Sequence, residues 1–111
     1  MAVDISKLFN ADLPAKMAQD PTGASAIGVL FQIGIGGVGE WLVDAKSSTP
    51  HCEQGYHENR DCMIIMASED FQHLWDNPQD TMQLFFAGKV KVTGNPTMAM
   101  KLSNLMAFAK G

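Results

Sequence analysis

With 111 residues, 46% of them hydrophobic and 18% charged, the chain reads as one globular domain over 1–111, able to bury roughly two-thirds of its unfolded surface. No apolar run approaches ~18 residues, so no transmembrane helix is expected; the start MAVDISKLFNADLP and the FAKG end carry no secretory or peroxisomal address, which leaves the cytoplasm as the expected location. Net charge is −4, split into −8 over the first 80 residues and +4 over the last 31, where Lys89, Lys91, Lys101 and Lys110 stand without an acid; this is too sparse for a nucleic-acid-binding face.

The stretch ISKLFNADLPAKMAQDP places Leu8 or Phe9, Leu13 and Met17 about four apart. That spacing predicts a helix, broken at Pro14 into two pieces and stopped by Pro21. Two strands follow, over 26–34 and 39–46. SSTP is a turn, 51–56 a short strand, and DCMIIMA a buried strand. Ser68 is expected to cap a helix running to Trp75, with Glu69 and Asp70 at its positive end. A second helix starting near Asp80 is expected to bury Met82, Leu84 or Phe85, and Phe86. GKVKVTG is an amphipathic strand with its valines inward. Asn95 and Pro96 open the last helix, whose apolar stripe is Met98, Leu102, Leu105 and Met106. Apart from the short 51–56 stretch, helix, three strands, two helices, strand and helix make an α+β layer with the helices on one face of a sheet.

Gly34, Gly36 and Gly39 spell a G-x-G-x-x-G after the apolar run from Ala26 to Ile33. A dinucleotide fingerprint needs a helix after the glycines, because its N-terminal N–H groups hold the pyrophosphate. EWLVDAK instead alternates with a period of two and reads as a strand. The glycines therefore sit in a hairpin loop. A two-residue loop would pair Val29 with Asp44, whereas a slip of one residue aligns Ile27, Val29, Phe31 and Ile33 with Trp41, Val43 and Ala45. Register follows the buried face, so the loop should have an odd number of residues.

No catalytic constellation is apparent. His51, Cys52, His57 and Cys62 lie close together in HCEQGYHENRDC, but without a paired C-x-x-C knuckle. Neither metal nor cofactor is expected, although a zinc-stabilised or thiol-active protein built on these residues is an alternative. The abundant methionines and six phenylalanines suit either an ordinary core or an adaptable apolar binding surface.

GEWLVDAK, DCMIIMASEDF, FFAGKVKVTGNP and MAMKLSNLM, in that order between about Gly34 and Met106, resemble the sterol carrier protein type-two family of non-specific lipid-transfer domains. The resemblance implies a five-stranded mixed sheet with helices on one face, enclosing a hydrophobic tunnel for a fatty acid, fatty acyl-CoA, sterol, isoprenoid or phospholipid. It also implies no catalytic residues: binding and transfer, or alternatively a lipid-presenting module acting with a partner enzyme. By this analogy the lining comes from Phe31, Trp41, Ile64, Phe71, Leu74, Phe85, Met98, Leu102, Leu105 and Met106. The chain departs from the family at DNPQD, where a Gly-Lys pair is usual, and at Met63 and Ile65, where polar residues are usual.

Those two residues bear on the open side of the sheet. In the odd-loop register Leu30, Leu42, Met63 and Ile65 point away from the helices. In the family's strand order they form one apolar patch, expected to be covered by a second copy of the chain or by a partner protein. The four C-terminal lysines are candidates for transient contact with an anionic membrane.

Overall fold

A computed structural model describes residues 3–111; Met1 and Ala2, part of the stretch read above for a secretory signal, lie outside them. Strands β1 (Val29–Gly36), β2 (Gly39–Ala45), β3 (His51–Gln54), β4 (Cys62–Ala67) and β5 (Val90–Gly94) form one mixed sheet in the order β3-β2-β1-β4-β5. β1 and β4 run parallel, and the other neighbours are antiparallel. No described helix is long and apolar enough to cross a membrane.

The hairpin has the odd register. Ile33 pairs with Trp41, Phe31 with Val43 and Val29 with Ala45, so all six side chains share the buried face. The pairing ends at Ile35 and Gly39, leaving a three-residue loop. Within it the Val38 N–H donates to the Ile35 carbonyl at 3.0 Å. Gly37, with φ 78°, occupies the third position of this turn, where a type II geometry requires positive φ. A strand follows the glycines, so they shape a turn and head no helix.

The first helical stretch is not broken at Pro14. It runs as α1 (Ile5–Lys7), a π-helical turn (Leu8–Asp12) and α2 (Leu13–Gln19). A proline inside an α-helix clashes with the carbonyl four residues back. Here that carbonyl belongs to Asn10, within the widened turn, which makes room for the ring. Nor does Pro21 end helical structure. The Asp20 carboxylate accepts from the Gly23 N–H at 2.9 Å and caps α3 (Pro21–Ser25), so β1 starts at Val29 rather than near residue 26.

After β4 come α4 (Ser68–Asp76), a 3₁₀ turn (Pro78–Asp80) and α5 (Thr81–Phe86). Ser68 is the first residue of α4 and not its side-chain cap. The expected final helix is two: α6 (Pro96–Ala99) and α7 (Leu102–Lys110). Asn95 caps α6 as expected, its side-chain oxygen accepting from the Thr97 and Met98 N–H groups at 2.9 and 3.3 Å. Leu102, Leu105 and Met106 are buried by α7, while Met98 is half-buried. α5 departs most from expectation. Only Leu84 and Phe85 are half-buried; Met82 is 48% exposed and Phe86 78%. Six residues make fewer than two turns, too few to bury a stripe that wraps round the helix.

The outer face of the sheet is half covered by the chain itself. Gln32, between Leu42 and Met63 in register, is fully buried. Its amide nitrogen donates to the Gly55 carbonyl at 2.9 Å, and its amide oxygen accepts from the His57 N–H at 3.0 Å. Asp61 closes the crossing by exchanging bonds with Leu30: its N–H donates to the Leu30 carbonyl and its carboxylate accepts from the Leu30 N–H. The 55–61 loop is thereby pinned over Leu42, which is 8% exposed, and Leu30 and Met63 are half-buried. The expected four-residue open patch therefore shrinks to Ile65, 40% exposed.

Gln32→Ala strands a buried carbonyl and N–H, and should cost about 1–3 kcal/mol. Urea unfolding measures this, and limited proteolysis should cut first within 55–61. An unchanged midpoint with unchanged cleavage would show that Gln32 does not hold the loop.

Candidate functional site

Between sheet and helices runs a column of aromatic rings. Trp41 on β2 stacks on Phe9 of the π turn, with centroids 4.8 Å apart and planes at 19°. Phe9 meets Phe71 of α4 at 5.7 Å, and Phe71 stacks on Trp75 at 6.3 Å. The inner indole N–H is satisfied, donating to the Asn10 side-chain oxygen at 2.9 Å. At the outer end the Lys110 ammonium lies 5.1 Å from the Trp75 ring centroid and donates to the Trp75 carbonyl. The column thus spans from the sheet's inner face to a cation near solvent.

Beside it lies an apolar seam. Phe9, Phe71 and Trp75 wall it on one side, and Leu102, Leu105 and Met106 of α7 on the other, with Leu8, Leu13 and Ala109 completing the lining. Its cavity holds about 10 Å³, room for a single water. Ligand pockets run to roughly 300–1,000 Å³, so the expected tunnel is closed here by side chains packed into one another. A lining this apolar leaves nothing for water to bond to, and the walls collapse on each other.

Nine of the ten residues nominated from the sequence lie in or against one hydrophobic core, and four of them reach the seam. Phe71, Leu102, Leu105 and Met106 line the seam. Phe31, Trp41, Ile64 and Leu74 are fully buried in the core around it. Phe85 leans on Phe86, 5.5 Å away, and Met98 packs half-buried at the core's margin. Sequence reasoning missed Trp75 and Ala109. It had Leu8, Phe9 and Leu13 in the first helical stripe without assigning them to the lining.

The thiols and histidines separate. Cys52 pairs with Val43, Val43 with Phe31 and Phe31 with Cys62, so two strands stand between the sulfurs. Three strand spacings amount to ~14 Å. Both cysteines are free. Burial, with Glu53 beside it, pushes the Cys52 thiol up to about 12; burial and Asp61 push Cys62 up to about 11. Thiols this weakly acidic are poor metal ligands and poor nucleophiles. His51 and His57 lie instead within 3.7 and 3.5 Å of the Glu53 carboxylate on the outer side. Among the described residues, no group of three or more His, Cys, Asp or Glu side chains is placed to hold a metal.

Known proteins share this fold. The family model described as the SCP-2 sterol transfer family matches residues 10–107. Over 65 residues, 59% of this chain, the sequence is 40% identical to sterol carrier protein 2 of Homo sapiens. Over 69 residues, 61% of the chain, it is 35% identical to hydroxysteroid dehydrogenase-like protein 2 of Rattus norvegicus. These matches span only 12% and 13% of the relatives' own lengths. Among solved structures, apo sterol carrier protein 2 from Yarrowia lipolytica superposes with a TM-score of 0.76 at 20% identity, covering 96% of this chain and 90% of that one. Sterol carrier protein-2 from Aedes aegypti in complex with palmitate superposes at 0.67 and 14% identity, covering 97% and 98%. At such identities these likenesses establish the fold.

The thiols make a separate test. Each has a folded-state value above its ordinary 9.0, so the folded state favours the protonated form. That contribution is complete below about pH 9 and is lost as pH rises through 11 and 12. Thiolate absorbance at pH 10 should be seen in urea-unfolded protein and be nearly absent from native protein. Equal absorbance in both would show that the cysteines are not shielded.

Proposed function

This chain belongs to the SCP-2 sterol transfer family, and we propose that it binds one long-chain apolar ligand, a fatty acid or fatty acyl group, and hands it on without chemical change. The observation that carries this reading is the seam: an exclusively apolar gap between α7 and the Phe9–Phe71–Trp75 wall, with the Lys110 cation near the Trp75 end. The acyl chain enters between α7 and the Phe9–Phe71–Trp75 wall, and the carboxylate or headgroup lies towards Lys110. In this reading Phe71, Leu102, Leu105 and Met106 are lining residues, joined by Leu8, Phe9, Leu13, Trp75 and Ala109. Phe31, Trp41, Ile64 and Leu74 form the floor reached when the rings part. Phe85 and Met98 lie at the margins.

Opening the seam exchanges side-chain contacts for contacts with the ligand, apolar for apolar. The net cost is that of parting the helices, and burial of the acyl chain, ~0.8 kcal/mol per CH₂, offsets it. Family membership supports the reading, as does the palmitate held by the Aedes aegypti relative. An alternative draws on the small share of the relatives' lengths that the match spans: the same unit presenting a lipid to a partner enzyme.

Native mass spectrometry of protein purified without detergent should find an acyl-type ligand. Met106→Trp fills the seam at a cost of about 1–3 kcal/mol in stability. It should weaken binding of a fluorescent fatty acid tenfold or more, while the melting curve stays cooperative. Undiminished binding by this variant would remove the seam as the site.

The membrane step has its own candidate surface. Met82 and Phe86 are exposed on α5, and the exposed Lys89 and Lys91 follow within five residues. Apolar side chains inserted at a headgroup layer with lysines beside them, each worth about 1 kcal/mol before screening, suit brief docking on anionic lipid. Phe86→Ser should slow transfer from anionic vesicles without changing equilibrium affinity, and raised salt should slow the wild type. Transfer rates indifferent to both would sink the membrane step and leave the binding reading intact.

A further inference from the structure

The outer face of the sheet divides into two unlike halves. Over β2 and β1 it is raised, because the 55–61 loop crosses it. The Gly55 N–H donates to the Glu40 carbonyl at 2.9 Å, the Gln32 amide grips Gly55 and His57, and Asp61 reaches Leu30. Over β4 and β5 it is low. The outward residues there are Met63, Ile65 and Ala67 on β4, and Lys91 and Thr93 on β5, with Lys89 just before it; none is acidic.

Charge follows the step. Glu40 and Glu53 project from the raised half, and Glu58 sits in the loop above it. His51 and His57 contact Glu53, and Arg60 is turned back over the Tyr56 ring, donating to Tyr56 Oη and the His57 carbonyl. The low half carries Lys89 and Lys91, both exposed. Between the halves lies a glycine-floored trough. One open depression of about 420 Å³ and a second of about 280 Å³ meet at Gly36 and Ile65. Across its middle the row reads Glu40, Gly34, Ile65, Lys91 on four adjacent strands.

We infer that this face is a self-complementary surface that receives a second copy of the same chain. A twofold axis parallel to the strands, passing between β1 and β4, carries β2 over β5 and β1 over β4. The raised half of each copy then fills the low half of the other. Glu40 of one copy lies against Lys91 of the second, in the same row of the sheet. Each Ile65 faces the other copy's Gly34, where no Cβ stands in the way. An isologous contact requires this reciprocity. The pairs cannot form within one chain, since Glu40 and Lys91 stand three strand spacings, ~14 Å, apart. The helices and the seam lie on the opposite face, so association leaves the seam uncovered, but it occupies Lys91, which membrane docking in the monomer would also use.

Sedimentation equilibrium across the micromolar range tests the assignment. The wild type should dimerise reversibly. Lys91→Glu, and separately Glu40→Lys, should each weaken self-association about tenfold or more by setting like charges face to face. Mixing these two variants should restore the complex as a heterodimer, which general loss of solubility or folding cannot mimic. Gly34→Ala adds a Cβ 3.6 Å from Glu40 Cγ and Ile65 Cγ1, an ordinary contact, so the melting temperature should hold while dimerisation weakens. A wild type that stays monomeric, or charge variants that fail to associate when mixed, would overturn the inference. Unchanged dimerisation of Gly34→Ala would overturn the packing of Ile65 in the trough.

Discussion

The pairing of Ile33 with Trp41 is the constraint on which the rest of the structure depends. β1 is the central strand, flanked by β2 on one side and β4 on the other, so its register against β2 decides which side chains the helices meet. With a three-residue glycine loop the inner row is wholly apolar. With a two-residue loop, Asp44 would lie opposite Val29 on that face. The helical layer follows from the choice, because Trp41 in this register offers its ring to Phe9 and its N–H to Asn10. One turn of glycines therefore positions both the core and the first helix.

That first helix carries a local compromise with a consequence for the seam. Pro14 needs a widened turn ahead of it, and the π-helical residues Leu8–Asp12 supply it. Phe9 and Asn10, the two residues that engage Trp41, belong to this turn, and Leu8 and Phe9 also line the seam. The same backbone irregularity that accommodates the proline places Phe9 against Trp41 and in the wall of the seam. Irregular helical turns are frequent where a protein binds or moves, and here the irregular turn itself lines the seam.

The seam is closed because it is wholly apolar. Nothing polar lines it, so nothing holds water there, and the walls meet. A polar cavity of ligand size would stay hydrated and bind an acyl chain poorly. Two apolar sets instead stay exposed. Phe86 and Met82 lie outward because α5 is too short to wrap its apolar residues against the sheet. Ile65 lies outward because the 55–61 loop, held by one buried glutamine, ends before reaching it. Both exposed sets stand beside Lys89 and Lys91, which joins the two surfaces at the β5 edge of the molecule.

The sequence by itself determined the α+β class, the strand and helix order apart from α3 and the split between α6 and α7, the odd hairpin loop and the inward rows of β1, β2, β4 and β5. These depend on period-two and period-3.6 patterns and on turn glycines, which act over a few residues and can be read locally. Four of the nine residues lining the seam were legible in the same way, through the stripe of Leu102, Leu105 and Met106 and the burial of Phe71. What only the tertiary structure decided was which buried residues face one another across a gap. Periodicity assigns Phe31, Leu74 and Phe71 alike to the inside, but whether a side chain fills the core or lines a seam depends on the approach of a distant helix. It decided as well that Gln32, polar and in mid-sheet, would be fully buried. That burial is tolerable only because a loop 23 residues along the chain returns with a carbonyl and an N–H to meet its amide.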